Sequence, residues 1–373
     1  MNTRHKICHV IVRLDTGGAE TSLLRLAQRP DARYEHHVLC FGRPSPIGSS
    51  LARAQVPVTY CDYRTGPVAL FRAWRRLRRL RPDVVQGWMY LGNLLAAILV
   101  RWGRVGRARL VFSIRQSPRR LDLERRRTRL AIHLGRLPGL RPDLLLYNSH
   151  AAVSDHAVLG YDRYPHKVIV NGIDTARYRP DTQARDAVRR AWSVGPAEHV
   201  VAMICRFHPL KGVDIFLAAA REVLSARDDV TVLPAGPGME AQNPALDALL
   251  GEHGLDGRVR LLGPQGEVES LLPGIDLLVL ASLREGTPNI LLEASACGVG
   301  CVATDVGDVR RIILQPERIV APGDVASLVT TINANLRMDA EDARRARVHI
   351  CNNYHIEECL ESYFLTYAEL LAP

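Results

Sequence analysis

Three short strings of the chain combine charged or carboxylate side chains with glycine, and each sits where a strand-like run gives way to a helical pattern. The first is Asp15-Thr16-Gly17-Gly18-Ala19-Glu20, directly after the apolar run Ile7–Val12. Its two glycines let the backbone approach a ligand closely, and the helix beyond presents free N–H groups and a positive dipole end. Taken alone, the string reads equally well as a tight turn with no ligand. It lacks the GxGxxG spacing of a dinucleotide site.

The second string, Arg206-Phe207-His208-Pro209-Leu210-Lys211-Gly212, offers a planar fork of donors and a mobile point charge, a pair able to neutralise a diphosphate. Isolated loop cations are more often simply solvated. The third is Ser282-Leu283-Arg284-Glu285-Gly286-Thr287-Pro288-Asn289-Ile290-Leu291-Leu292-Glu293-Ala294. Here Thr287 is expected as the helix N-cap with Pro288 at the first helical position. The amides around Thr287, Asn289 and Ile290, reached past Gly286, would form an anion cradle, and Glu285 and Glu293 could accept hydrogen bonds from sugar hydroxyls. The same spacing of two glutamates recurs at Glu361 and Glu369 without a glycine loop, so the weight lies in the whole string.

Strand-like runs alternate with helical patterns along almost the entire chain, which predicts parallel sheets covered by helices, an α/β protein. In the first half the runs are Ile7–Val12, His37–Phe41, Val56–Tyr60, Val84–Trp88, Leu110–Ile114, Leu144–Asn148 and Val168–Val170. In the second they are Val200–Cys205, Val230–Ala235, Val259–Leu262, Leu277–Ala281 and Cys301–Thr304. Helical patterns between them include Glu20–Gln28 and Leu70–Leu80. The polar stretch Asp174–Glu198 reads as the connection between two doubly wound units. Ligands of such sheets bind beyond the C-terminal strand ends, where all three strings fall, and the cleft between the units is the expected location.

At 373 residues the chain exceeds what a single core fills, again favouring two domains. Its 24% charged and 47% hydrophobic residues are ordinary globular usage and exclude wholesale disorder. The net charge of +10 hides an asymmetry. Through Arg190 there are 35 basic and 14 acidic residues, net +21; from Ala191 onward there are 14 and 25, net −11. Arginines cluster at 72–81 around a stripe of Leu70, Trp74, Leu77 and Leu80, and again at 119–129. Such a face is read as solvated, or as a surface for an anionic membrane. A nucleic-acid role is the rival reading, disfavoured by the few aromatics among the arginines and the lack of a known motif. The eight cysteines form no CxxC pair and read as buried thiols of a reducing compartment. Ile7–Val12 is short for a secretory signal and Val84–Val100 for a membrane span, so a cytoplasmic protein is expected. His5, His9, His36, His37, His150 and His156 are read as satisfied or solvated.

Taken together, Gly17-Gly18-Ala19-Glu20, Asn171-Gly172-Ile173-Asp174, Arg206…Lys211-Gly212, Glu285-Gly286-Thr287-Pro288-Asn289…Glu293 and Ala303-Thr304-Asp305-Val306-Gly307 resemble the retaining glycosyltransferases of family 4, in order and spacing across about residues 7–310. The resemblance implies the GT-B fold: a first domain at 1–180, a nucleotide-sugar domain at 181–355, and a last segment, 356–373, that crosses back onto the first. It implies metal-free transfer from a UDP- or GDP-sugar to a saccharide or lipid-linked saccharide, in surface polysaccharide assembly, at the inner face of a membrane.

By match to the family motif, Arg206 and Lys211 would bind the donor diphosphate and Glu285 would contact the transferred sugar. The Gly286–Ile290 amides would add to the diphosphate site and Glu293 would take the ribose. Gly17 and Gly18 would lie beside the diphosphate and acceptor. No cofactor or metal is expected. The chain departs from the pattern at Cys205, Gly300 and Gly307-Asp308. It also departs at Ser113-Ile114-Arg115-Gln116-Ser117, where many members carry a histidine. Arg115 cannot serve as a base; it is expected in sugar or acceptor binding, with His208 a further candidate there, and the base is unassigned. An epimerase or phosphorylase of the same architecture remains the alternative.

Overall fold

A computed structural model describes residues 4–15, 17–103, 105–118, 121 and 125–372. Thr16, Arg119 and Arg120, named above, lie outside the described residues. The chain divides into two units, residues 1–171 with 357–373, and residues 172–356.

The first unit is built on seven strands: β1 His5–Ile11, β2 Tyr34–Cys40, β3 Val58–Tyr60, β4 Val84–Trp88, β5 Arg109–Ile114, β6 Leu144–Tyr147 and β7 His166–Val168. They pair in the order β3-β2-β1-β4-β5-β6-β7, every pair parallel. β4 and the second half of β1 are buried along their whole length, as expected where helices cover both faces. The chain order reverses at β1 and β4, so the loops after these two strands flank the crevice where ligands of doubly wound sheets bind. The helix Ile356–Leu371 belongs to this unit and buries Leu360, Tyr363, Phe364 and Tyr367. Tyr34 Oη donates to the Phe364 carbonyl at 2.9 Å while their rings stack, and Tyr367 Oη donates to Gln86.

The second unit has five strands, β8 His199–Ile204, β9 Val230–Ala235, β10 Leu277–Leu280, β11 Gly300–Thr304 and β12 Ile319–Val320, in the order β12-β11-β10-β8-β9, again all parallel. Phe216, Leu217, Val232, Leu277, Val279 and Val302 form the centre of its core.

The expected strand Val259–Leu262 is reduced to a single bridge between Val259 and Val232. Arg260 N and Leu262 N donate to the carbonyls of Val232 and Pro234, at 3.0 Å each. The return bond of a parallel ladder would come from residue 234, and proline has no N–H to give. The short edge strand β12 went unrecognised, because two residues carry no periodicity.

Candidate active site

In the second unit, four loops meet at the C-terminal ends of neighbouring strands β9, β8, β10 and β11, and close backbone contacts fix their positions. The loop after β8 turns through Pro209–Lys211, where His208 Nδ1 accepts the Leu210 N–H at 3.1 Å. The turn ends at Gly212, with φ +64°, from which the helix Val213–Ala226 starts. A Cβ on Gly212 would lie 2.0 Å from the Ala281 carbonyl oxygen, so only glycine fits between the two loops. Leu283 N donates to Leu210 O at 2.9 Å, lacing the loop after β10 to the one after β8. Asp308 N donates to Gly286 O at 2.9 Å, which ties in the loop after β11.

This framework brings Lys211 and Glu285 together. Lys211 Nζ lies 2.6 Å from Glu285 Oε1, and the buried Ser282 hydroxyl donates to the same oxygen at 2.7 Å. The lysine and glutamate side chains are 25% and 12% exposed, so the pair is partly desolvated but open on one side. Arg206 is exposed at the rim. The Cys205 thiol registers the group's field: burial pushes its pKa up to about 12, with Lys211 and Arg206 pulling it down and Glu285 pushing it up.

The third loop differs from expectation at its helix. The helix spans Asn289–Ala296, with Pro288 rather than Thr287 at the N-cap and no side-chain cap. Pro288 has φ −75° and ψ 102°, an extended conformation rather than a helical one, so the first turn begins one residue later. Thr287 is buried, Asn289 and Ile290 are half-buried, and Glu293 lies half-buried in the second turn.

The loop after β9 also approaches this group, and no charged residue marks it in the sequence. Gly236 (φ +124°) and Gly238 (φ +86°) press on Cys205 and Phe207, and Phe207 N donates to Pro237 O at 2.7 Å. Its sequence signal is the uncharged string Gly236-Pro237-Gly238.

In the first unit, Gly17 caps the helix Gly18–Gln28, and the Glu20 carboxylate folds back over Gly17. A cavity of about 210 Å³ opens between the loops after β1 and β4, lined by Arg13, Glu20, Trp88, Met89, Tyr90 and Gln116 among others. Met89 holds φ +61°, a left-handed conformation that costs a non-glycine residue energy and is concentrated at functional sites. Tyr90 Oη rests 3.1 Å from Nε2 of the buried His156 and 3.2 Å from the Gln116 carbonyl. Glu20 and Gln116 lie in strings the sequence marks, and His156 is among the histidines it reads as satisfied; for Trp88-Met89-Tyr90 the available signal is their position at a strand's C-terminal end.

Arg115 is held by the fold. It donates to Tyr363 Oη at 2.9 Å, to Ser22 Oγ at 2.7 Å and to Asn171, and its guanidinium lies 5.7 Å from the Trp88 ring centroid. It therefore pins the terminal helix, the first helix and the end of the unit together. Among the described residues no group of three or more His, Cys, Asp or Glu side chains is placed to hold a metal ion.

Residues 16–177 match the family model of glycosyltransferase family 4, and residues 198–337 that of the glycosyl transferases group 1. D-inositol 3-phosphate glycosyltransferase of Rhodococcus opacus (strain B4) is 35% identical over 165 residues, which cover 41% of this chain and 36% of that protein. The enzyme of the same name from Mycobacterium sp. (strain JLS) is 34% identical over 185 residues, 48% of this chain and 42% of that one. The match thus spans less than half the length of these curated relatives. Among solved structures, Anabaena Alr3699/HepE in complex with UDP-glucose superimposes with a TM-score of 0.83 at 20% identity, covering 98% of this chain and 99% of that one. WaaG, a glycosyltransferase involved in lipopolysaccharide biosynthesis, does so with a TM-score of 0.73 at 16% identity, covering 96% and 98%. At these identities the likeness is one of fold, and the fold is GT-B.

Proposed function

The chain belongs to the family 4 glycosyltransferases, and from that membership we propose that it transfers a sugar from a nucleoside-diphosphate sugar to a saccharide or lipid-linked saccharide with retention of anomeric configuration. The observation that carries this reading is the Lys211–Glu285 pair at 2.6 Å beside the exposed Arg206, on loops at the C-terminal edge of a parallel sheet. As the bond from the anomeric carbon to the diphosphate breaks, negative charge grows on phosphate. Fixed cations there lower the barrier more than they tighten the ground state. Arg206 and Lys211 thus take the part a metal ion plays elsewhere, and Glu285 orients Lys211 while facing the sugar. The acceptor oxygen attacks from the face the diphosphate leaves, and its proton passes to a diphosphate oxygen.

UDP is the favoured nucleotide, since the solved neighbour HepE carries UDP and UDP-glucose. The printed activity of the curated relatives favours, as a second reading of the acceptor, a phosphorylated polyol. The arginine-rich first unit suits an acceptor presented at an anionic membrane, in surface polysaccharide assembly. The test is to incubate the chain with UDP-sugars and candidate acceptors in EDTA and to read the product anomer by NMR. Retained configuration and undiminished rate are expected; inversion, or strict Mg²⁺ or Mn²⁺ dependence, contradicts the reading.

A further inference from the structure

In the first unit, Met89 stands between two residues whose side chains are locked into the interior. On one side the Trp88 ring is fully buried and donates its indole N–H to His9 Nδ1 at 3.1 Å. On the other, Tyr90 is buried and its hydroxyl lies 3.1 Å from Nε2 of His156, which is itself fully buried. His156 Nδ1 sits 2.7 Å from the Ala152 carbonyl, an oxygen that can only accept. That nitrogen therefore carries the proton, and Nε2 is left to accept from Tyr90. Burial lowers the His156 pKa to about 4, so the ring stays neutral and the pattern holds at neutral pH.

The helix that starts here, Met89–Ala97, has no room to drift. A Cβ on Gly92 would lie 2.8 Å from the Val10 carbonyl oxygen, and one on Gly87 would lie 2.5 Å from Asn93 Cα. Asn93 is tied to β5, its Oδ1 accepting the Ser113 N–H at 3.2 Å. With both neighbours and the helix fixed, Met89 absorbs the turn alone, at φ +61°. Glycine would make this turn without strain, whereas a methionine there is kept at an energetic cost, which points to a use for its side chain.

The Met89 side chain is half-buried and lines the cavity of about 210 Å³ between the loops after β1 and β4. That space is smaller than the roughly 300–1,000 Å³ of a site for a drug-sized ligand and suits a single sugar ring. Ile11, Leu91 and Met89 make one part of its wall apolar, while Glu20 and Gln116 bring polar groups to another. A sugar ring has matching parts, C–H faces and hydroxyl donors. A phosphate ester matches poorly, because the Glu20 carboxylate would oppose it and Arg13 already faces the Asp15 carboxylate at 4.0 Å. Along the strained turn, Trp88 and Tyr90 spend their polar atoms on the interior and Gly92 has no side chain, so a change at Met89 alters the space most directly. We propose that Met89 is a specificity-determining residue of the transfer reaction, its side chain setting the size of the uncharged sugar ring that the cavity admits at the end of the acceptor. The inference rests on the reading of the chain as a transferase with a saccharide acceptor, and it assigns the choice of ring to one side chain.

The test is saturation-transfer NMR titration of the full chain with the methyl glycosides of glucose and of N-acetylglucosamine, and with inositol 3-phosphate. The wild-type chain should bind the glucoside roughly ten-fold or more tightly than its bulkier N-acetylated counterpart, the discrimination a pocket wall exerts on one added group, and should ignore the phosphate ester. Met89→Gly should erase that preference, and because glycine accepts φ +61° the melting temperature should hold. Met89→Leu, close to methionine in volume, should keep the preference. Four results would each overturn the proposal: no preference for the smaller ring in the wild type, an unchanged preference in Met89→Gly, binding of inositol 3-phosphate, or no saturable contact with either glycoside. UDP-glucose affinity measured on the same samples separates the two readings. A chain with a Met89-dependent preference that ignores UDP-glucose refutes the transferase reading alone; one that binds UDP-glucose but shows no such preference refutes the role of Met89 alone.

Discussion

Arg206 and Lys211 carry like charge in one loop, yet their surroundings give them different costs of removal. Arg206 is exposed, so Arg206→Ala should leave the melting temperature unchanged while lowering the transfer rate by roughly 100-fold or more, the usual cost of losing a fixed donor to developing negative charge. Lys211→Ala should lose activity similarly and also some stability, because Glu285 is left with Ser282 as partner in a partly desolvated place. Initial rates with melting curves check both; full turnover in either variant contradicts the assignment. Gly212→Ala tests the framework. With φ +64° and the Ala281 carbonyl 2.0 Å from the new Cβ, the loop must shift, so stability should fall by about 2 kcal/mol in denaturant titration and Lys211 should lose its place. These loops were legible in the sequence because proline, glycine and charge coincide in them. The Gly236–Gly238 loop was not, since its role is backbone approach and leaves no charge to notice.

The strands were legible from their apolar runs, and most of the missed detail traces to backbone chemistry, such as the absent N–H of Pro234 beside Val259–Leu262. Side-chain pairing between elements was the least legible. β1 and β2 carry His9 and His36, and the helix Ile356–Leu371 lies against them through Phe364. The Trp88 indole N–H donates to His9 Nδ1 at 3.1 Å, so His9 holds its proton on Nε2 and donates it to His36 Nδ1 at 2.9 Å. Burial holds His9 well below its ordinary pKa of 6.5 and lowers His36 and His156 to about 4. In that window the unfolded chain binds protons that the folded one refuses. The stabilisation is therefore complete above about pH 6.5 and is lost as pH falls towards 4, at roughly 1 kcal/mol per pH unit for each histidine. Denaturant midpoints at pH 7, 6 and 5 should fall in that order; a flat series contradicts the account. Arg115 shows the same kind of pairing: its partners Ser22, Asn171 and Tyr363 come from elements far apart in sequence.

For the molecule as a whole, the charge of +10 divides into a basic half and an acidic half. In the acidic half Arg206 and Lys211 share one loop at a strand's C-terminal end, while in the basic half arginines spread over a helix face. The alternation of strands and helices was enough to expect two parallel sheets, because such patterning repeats over many elements and local errors average out. What the sugar is depends on a few hydroxyl contacts in the loops, which patterning does not encode. The central claim is that the second unit holds a nucleoside diphosphate through Arg206 and Lys211 without a metal ion. Calorimetric titration of the full chain with UDP-glucose in EDTA tests it most directly. The account predicts saturable binding by the wild-type chain and its loss in the Arg206→Ala/Lys211→Ala double variant. Binding that needs added Mg²⁺, or that survives in the double variant, would contradict it.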